Sequence, residues 1–213
     1  MSRTAGIAGI VPTRKTNDGD ILGIQATRDG ALVTADWVLA RAIEGKVFTA
    51  QLGTGTTPIL GDAYDADQPF IALDVSDGFA AVLLKIQVYV EAASGLVNEV
   101  IAETSTAKAG AGTSTAITPV NHKSNGGSAA GTTAFGAYSG NAVAVTGGVE
   151  FWRDGDPYIQ AATSQNSLYV WTYEAGPIVL VDASSVQVHL AGAADPTGYA
   201  RITYVEMLAS EVS

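Results

Sequence analysis

One segment of the sequence alternates so regularly that it limits the possible folds more than any other feature. Across residues 79–91, every second position carries an aliphatic side chain, namely Val82, Leu84, Ile86, Val88 and Val90. The positions between them are mixed and include Lys85 and Gln87. A period of two is typical of a β-strand, whose side chains point alternately to opposite faces. The segment therefore predicts a long strand with its aliphatic face in a hydrophobic core.

Shorter strands are predicted on both sides of this segment, and turn residues separate them. The turn at Ser94 and Gly95 predicts a hairpin between residues 79–91 and the next strand. Trp37 to Ile43 fits a short helix that Asp36 caps and Gly45 stops, although the same stretch also alternates as a strand. The other predicted strands are residues 21–27, 46–52, 70–75, 96–103, 117–120, 142–152, 168–173, 178–181, 186–190 and 199–208.

About nine or ten short strands without long helices between them predict an all-β fold rather than a parallel α/β fold. The natural arrangement is an antiparallel β-sandwich of jelly-roll type, with at most one short helix. Residues 1–20 are predicted to form an extended arm, and residues 21–213 a single sandwich domain. Within it, residues 104–141 are rich in Gly, Ala, Ser and Thr, and we expect this excursion to pack on something.

The composition excludes several function classes. Charged residues make up only 15% of the chain, where about 25% is usual, so we expect part of the surface to be covered by protein. The net charge of −10 argues against direct nucleic-acid binding, which needs clustered basic residues. With no cysteine there is no disulfide and no thiolate metal site. The apolar stretch 5–11 is too short for a signal peptide, and no run is long enough for a membrane helix.

No motif in the sequence predicts catalysis or a cofactor. The glycine-containing stretch 53–58, GTGTTP, lacks the spacing of a dinucleotide or phosphate loop. The two histidines, His122 and His189, are distant in sequence, lack a nucleophile elbow, and are expected to face solvent or an interface. Weak calcium candidates are the loop carboxylates, which more often bond their own turns: Asp62, Asp65, Asp67, Asp154 and Asp156.

Aromatic side chains are concentrated on one predicted strand. Tyr169, Trp171 and Tyr173 share a face, while Leu168, Val170 and Thr172 form the other face, which suits the core. We therefore expect the aromatic face to point outward, with Trp152 and Tyr158 nearby. A subunit interface is the first interpretation, intramolecular packing the second and sugar binding the third.

Two stretches near the ends of the chain resemble a known family. Residues 28–58, RDGALVTADWVLARAIEGKVFTAQLGTGTTP, are similar to the opening of structural proteins from environmental phages, and residues 198–208, GYARITYVEML, to their last strand. The resemblance implies a β-sandwich virion component, such as a capsid, decoration or spike subunit, assembled in the host cytoplasm. The alternative is a carbohydrate-binding or receptor-binding module.

A virion component acts by packing against its neighbours rather than by catalysis. The expected partners are copies of the chain, in a closed homo-oligomer such as a trimer, and other virion proteins. A glycan is a further candidate partner; no nucleic acid, membrane or cofactor is expected. The basic residues Arg3, Arg14 and Lys15 have two interpretations: they place the arm on an acidic neighbour, or they belong to a solvated tail.

Overall fold

The computed structural model describes residues 37–61, 64–92, 98–155, 167–192 and 196–212. The chain divides into two units, residues 1–40 and residues 41–213. Only residues 37–40 of the first unit are described, so the predicted arm over 1–20 and the strand over 21–27 lie outside the described residues. The second unit is built from β-strands.

One α-helix, two 3-10 helices and thirteen strands make up the regular structure of the described residues. The helix is α1 (Trp37–Ile43), as predicted, and Gly45 follows it with a positive φ of 74°. The 3-10 helices span Tyr173–Ala175 and Ala209–Glu211. The strands are β1 (Val47–Leu52), β2 (Ile59–Leu60), β3 (Ile71–Val75), β4 (Phe79–Ala92), β5 (Asn98–Ser105), β6 (Thr115–Ile117), β7 (Val120–Asn121), β8 (Thr132–Gly136), β9 (Glu150–Gly155), β10 (Ser167–Thr172), β11 (Val179–Val181), β12 (Ser184–Gly192) and β13 (Thr197–Leu208).

The strands form two antiparallel sheets packed as a sandwich, which confirms the predicted fold class. The seven-stranded sheet has the order β10-β4-β13-β1-β7, with β11 also on β4 and β2 also on β13. The six-stranded sheet has the order β6-β8-β3-β12-β5-β9. Eight strands form the main part of the two sheets: β1, β3, β4, β5, β9, β10, β12 and β13. When these eight are numbered one to eight along the chain, their order is 6-3-8-1 in the seven-stranded sheet and 2-7-4-5 in the six-stranded sheet. This order is compatible with the predicted jelly-roll type.

The long strand β4 enters the core, but a bulge changes which of its side chains do so. Ile86, Val88 and Val90 are buried in the core between the sheets, as predicted. At Leu84 the pairing with β13 shifts by one residue, because Lys85 pairs with Thr203 and Leu83 with Tyr204. A bulge reverses the alternation beyond it. Leu83 therefore belongs to this core, whereas the predicted positions Val82 and Leu84 do not.

The predicted hairpin between β4 and β5 is wrong. Strand β4 lies in the seven-stranded sheet, paired with β10, β11 and β13. Strand β5 lies in the six-stranded sheet between β12 and β9. The chain thus passes from one sheet to the other after β4, and a turn-rich sequence between two strands does not distinguish this passage from a hairpin.

The small-residue excursion packs on its own chain. It supplies β6 and β8 to the end of the six-stranded sheet and β7 to the end of the seven-stranded sheet. A buried carboxylate secures it: Glu206 accepts hydrogen bonds from the backbone N–H groups of Ala130 and Gly131 and from the hydroxyl of Thr132.

The strand predicted over 142–152 is correct only in its last three residues, because β9 begins at Glu150.

Candidate functional site

The predicted orientation of the aromatic strand is wrong. Tyr169 and Trp171 are only 7% and 5% exposed and belong to the core, whereas Leu168 and Val170 face outward. The pairing with β4 explains the reversal, since Tyr169 lies opposite Val88 and Trp171 opposite Ile86, both core residues. Side chains directly across an antiparallel ladder share a face. Tyr169 and Trp171 are therefore unavailable to a partner or a glycan.

The remaining aromatic candidates occupy different surroundings. Tyr173 lies beyond β10 in a 3-10 helix and is exposed. Trp152 is partly buried against the core, and its neighbour Phe151 meets Trp171 edge to face, with ring centroids 5.2 Å apart. Tyr158 and the basic residues Arg3, Arg14 and Lys15 lie outside the described residues.

A row of exposed aliphatic side chains replaces the expected aromatic face. Strands β10 and β11 lie one after the other along the same side of β4, at the edge of the seven-stranded sheet. Their inward side chains, Trp171 and Leu180 among them, are buried. We call their four exposed aliphatic side chains the edge surface: Leu168, Val170, Val179 and Val181 are 49%, 39%, 46% and 39% exposed.

The edge surface lacks the features that usually protect a sheet edge. Edge strands of soluble monomers carry charges or prolines that prevent pairing with another chain. Neither SLYVWT of β10 nor VLV of β11 contains a charged residue or a proline. Within the described part of the chain, no strand pairs with their outer sides. The sequence carries a signal for this surface, because β10 is apolar at both alternating sets of positions. Either face of the strand could therefore have pointed into the core.

His189 is buried, so the expectation that both histidines face solvent or an interface is wrong for this one. It is 2% exposed on the outer side of β12, where Tyr64 packs on its ring with centroids 5.0 Å apart. Its Nε2 lies 3.8 Å from Oε2 of Glu103, which is beyond hydrogen-bond distance. Burial therefore dominates and lowers the pKa of His189 to about 4, against a smaller opposing effect of Asp65. The second histidine, His122, is exposed as expected.

Loops cover this outer side of the six-stranded sheet. The buried carboxylate of Asp74 accepts hydrogen bonds from the backbone N–H groups of Ala109 and Gly110, and burial raises its pKa despite these bonds. Ser185 donates to the carbonyl of Ala107, and Gln187 to that of Val143. The polar side chains of β3 and β12 thus hold loops in place, which explains why polar residues alternate with valines in a strand buried on both sides.

Two of the acidic residues proposed for calcium, Asp65 and Asp154, bond their own turns. Asp65 accepts hydrogen bonds from the backbone N–H of Asp67 and the side-chain amide of Gln68, and Asp154 accepts one from the N–H of Gly155. Asp62 and Asp156 lie outside the described residues. No cluster of three or more His, Asp or Glu side chains among the described residues is arranged to hold a metal ion.

The outer face of the seven-stranded sheet carries an open groove of about 460 Å³. Arg201 of β13 lies at its centre, between Gln51 of β1 and Gln87 of β4 in the register of the sheet. We call this feature the Arg201 groove; it is lined by Thr49, Gln51, Gln87, Val120, His122, Arg201 and Thr203. Sequence reasoning missed it, because only the strand order brings these residues together.

Comparisons of the chain with protein-family models, with curated proteins and with solved structures found no match. Within the described ranges, no helix has the length and apolar character needed to cross a bilayer.

Proposed function

We propose that this chain is a structural subunit that assembles with copies of itself, and that the edge surface is the contact between copies. The observation that carries the proposal is the unprotected edge: two successive strands with exposed aliphatic side chains and no charge. At about 3.3 Å per residue, the stretch of β4 that they follow is about 30 Å long. An edge of this length without protective charges favours a second chain as its partner.

Two copies related by a twofold axis could pair along this sheet edge. When two copies are related by a twofold axis, β10 can pair antiparallel with β10 of the partner copy. Each half-exposed aliphatic side chain that becomes buried contributes about 1 kcal/mol. The eight such side chains of two copies together contribute about 8 kcal/mol, against an association cost of about 4–15 kcal/mol, so the contact also relies on backbone hydrogen bonds across the edge. The smallest closed assembly that this edge supports is a dimer; the trimer remains a prediction from the sequence.

The narrower role, a virion component such as a capsid, decoration or spike subunit, rests on the resemblance of residues 28–58 and 198–208 to phage structural proteins. A sandwich with a low share of charged residues suits a role in which neighbours cover much of the surface. Other virion proteins are then further partners. The fold alone does not determine this role, because jelly-roll sandwiches serve several functions.

A matched pair of variants tests the interface. Val170→Lys places a charge in the edge surface, and burying an unpaired ammonium is costly. Val149→Lys makes the same change at a valine that is 67% exposed and outside this surface. Light scattering after gel filtration should give an oligomer for the wild type and for Val149→Lys, and a monomer for Val170→Lys. A monomeric wild type at concentrations near 100 µM, where contacts with a Kd of about 1 µM would be saturated, would overturn the proposal.

A further inference from the structure

Arg201 is the starting point, because its surroundings differ from those of the other arginines that the structure describes. Arg41 pairs with Glu44 at 2.9 Å, and Arg153 pairs with Glu99 and with Glu150 at 2.6 Å. Among the described residues, no carboxylate lies within ion-pair distance of Arg201. Its Nε is buried and has no hydrogen-bond acceptor.

Of the three arginines that the structure describes, Arg201 alone has no carboxylate partner. Acidic residues outnumber basic ones, 21 to 11, so carboxylates are abundant. A guanidinium group carries five N–H donors in a fixed planar arrangement, and a buried donor without an acceptor is unfavourable. The neighbours of Arg201 in the sheet, Gln51 and Gln87, are uncharged. The groove therefore has a positive centre.

The rest of the groove offers neutral hydrogen-bonding groups, and an aromatic pair lies beside it, since the amide of the lining residue Gln87 donates to the hydroxyl of Tyr89 at 3.4 Å. The hydroxyl of Thr49 lies 2.8 Å from Nε2 of His122 and 2.9 Å from the hydroxyl of Thr203. One register row beyond Arg201, the rings of Tyr89 and Tyr199 stack with centroids 4.3 Å apart. A volume of about 460 Å³ lies within the range of small-molecule sites, about 300–1,000 Å³.

We propose that the Arg201 groove binds a carboxylate-bearing sugar, that is, an acidic monosaccharide unit of a glycan. Arg201 donates two parallel hydrogen bonds to the carboxylate, the geometry that a guanidinium group favours. Thr49, Thr203 and the amide oxygens of the glutamines bond the ring hydroxyls. The tyrosine pair packs against the apolar face of the ring. This site adjoins the edge surface, because Val170 lies opposite Gln87 in the sheet, but the two share no residue.

Isothermal titration with small probes tests the proposal on the full chain. Glucuronate is the main probe, glucose is the same ring without the carboxylate, and acetate is the carboxylate without the ring. We expect glucuronate to bind, and glucose and acetate to bind at least roughly tenfold more weakly. Arg201→Gln should weaken glucuronate binding by roughly tenfold or more, and Arg201→Lys by less, because lysine keeps the charge but not the paired hydrogen bonds.

The control is Arg153→Gln, which makes the same charge change on the other sheet and should leave binding unchanged. Thermal unfolding of each variant confirms that it is folded before titration. Absence of glucuronate binding to the wild type would overturn the proposal. Equal binding of acetate would identify a simple anion site, and tighter binding of a tri-aspartate peptide a peptide site; either result would overturn the sugar assignment.

Discussion

Replacing Trp171 with alanine tests whether the aromatic side of β10 faces the core. The indole is only 5% exposed, belongs to the cluster that both sheets share and meets Phe151 edge to face. Truncation of such a side chain removes its burial and leaves a cavity, which typically costs about 3–5 kcal/mol. Tyr173, two residues further on, is 40% exposed, and its replacement by alanine should cost no more than about 0.5 kcal/mol.

Thermal and urea unfolding, followed by circular dichroism, measure the difference between these two variants. A domain of this size loses about 2–4 °C of Tm per kcal/mol, so Trp171→Ala should lower the Tm by roughly 6–20 °C. Trp171→Phe, which keeps an aromatic ring, should lie between Trp171→Ala and the wild type. If Trp171→Ala were as stable as Tyr173→Ala and instead lost self-association, the aromatic side would be the interface and the present assignment would be refuted.

Two further predictions concern buried polar groups. Glu206→Ala leaves the N–H groups of Ala130 and Gly131 and the Thr132 hydroxyl without their acceptor. The free energy of unfolding in urea should therefore fall by about 2–4 kcal/mol, whereas it should hardly change in the control Glu174→Ala, which replaces an exposed side chain. Equal losses in the two variants would contradict this hydrogen-bond network. His189 has a folded pKa of about 4, below the unfolded value of 6.5, so the unfolded chain binds the extra proton. Stability should therefore fall by about 2–3 kcal/mol between pH 6.5 and pH 4 through this group, and His189→Phe should remove that part of the pH dependence; an unchanged slope would show that His189 is not buried in the neutral form.

The sequence predicted most of the longer strands, because each buries at least one apolar face, but it did not predict β2 or β8. β1, β3, β12 and β13 lie where alternation or apolar runs placed them, and α1 spans the predicted residues. The predictions failed where partners in space decide the outcome. The bulge at Leu84 arises from the pairing of β4 with β13. The orientation of β10 arises from its register on β4, since both of its faces are apolar.

The candidate sites depend even more on the strand order. Gln51, Gln87 and Arg201 are far apart in sequence, and the Arg201 groove exists only because β1, β13 and β4 are adjacent. The burial of His189 required loops to cover the outer side of β12, and the sequence gives no pattern for that contact. The edge surface could have been predicted from the apolar composition of both faces of β10, had its position at the sheet edge been known.

Amide hydrogen exchange of the edge strands tests the proposed assembly most directly. Peptides covering Ser167–Thr172 and Val179–Val181 would be followed by mass spectrometry in concentrated and in diluted protein. If copies pair along this edge, exchange of these peptides slows at high concentration, while peptides from the interior strand β4 exchange at the same rate in both samples. Equal exchange of β10 and β11 at both concentrations, together with a larger mass in the concentrated sample, would place the interface elsewhere. Equal exchange with a monomeric mass would contradict the proposed role as a self-assembling subunit.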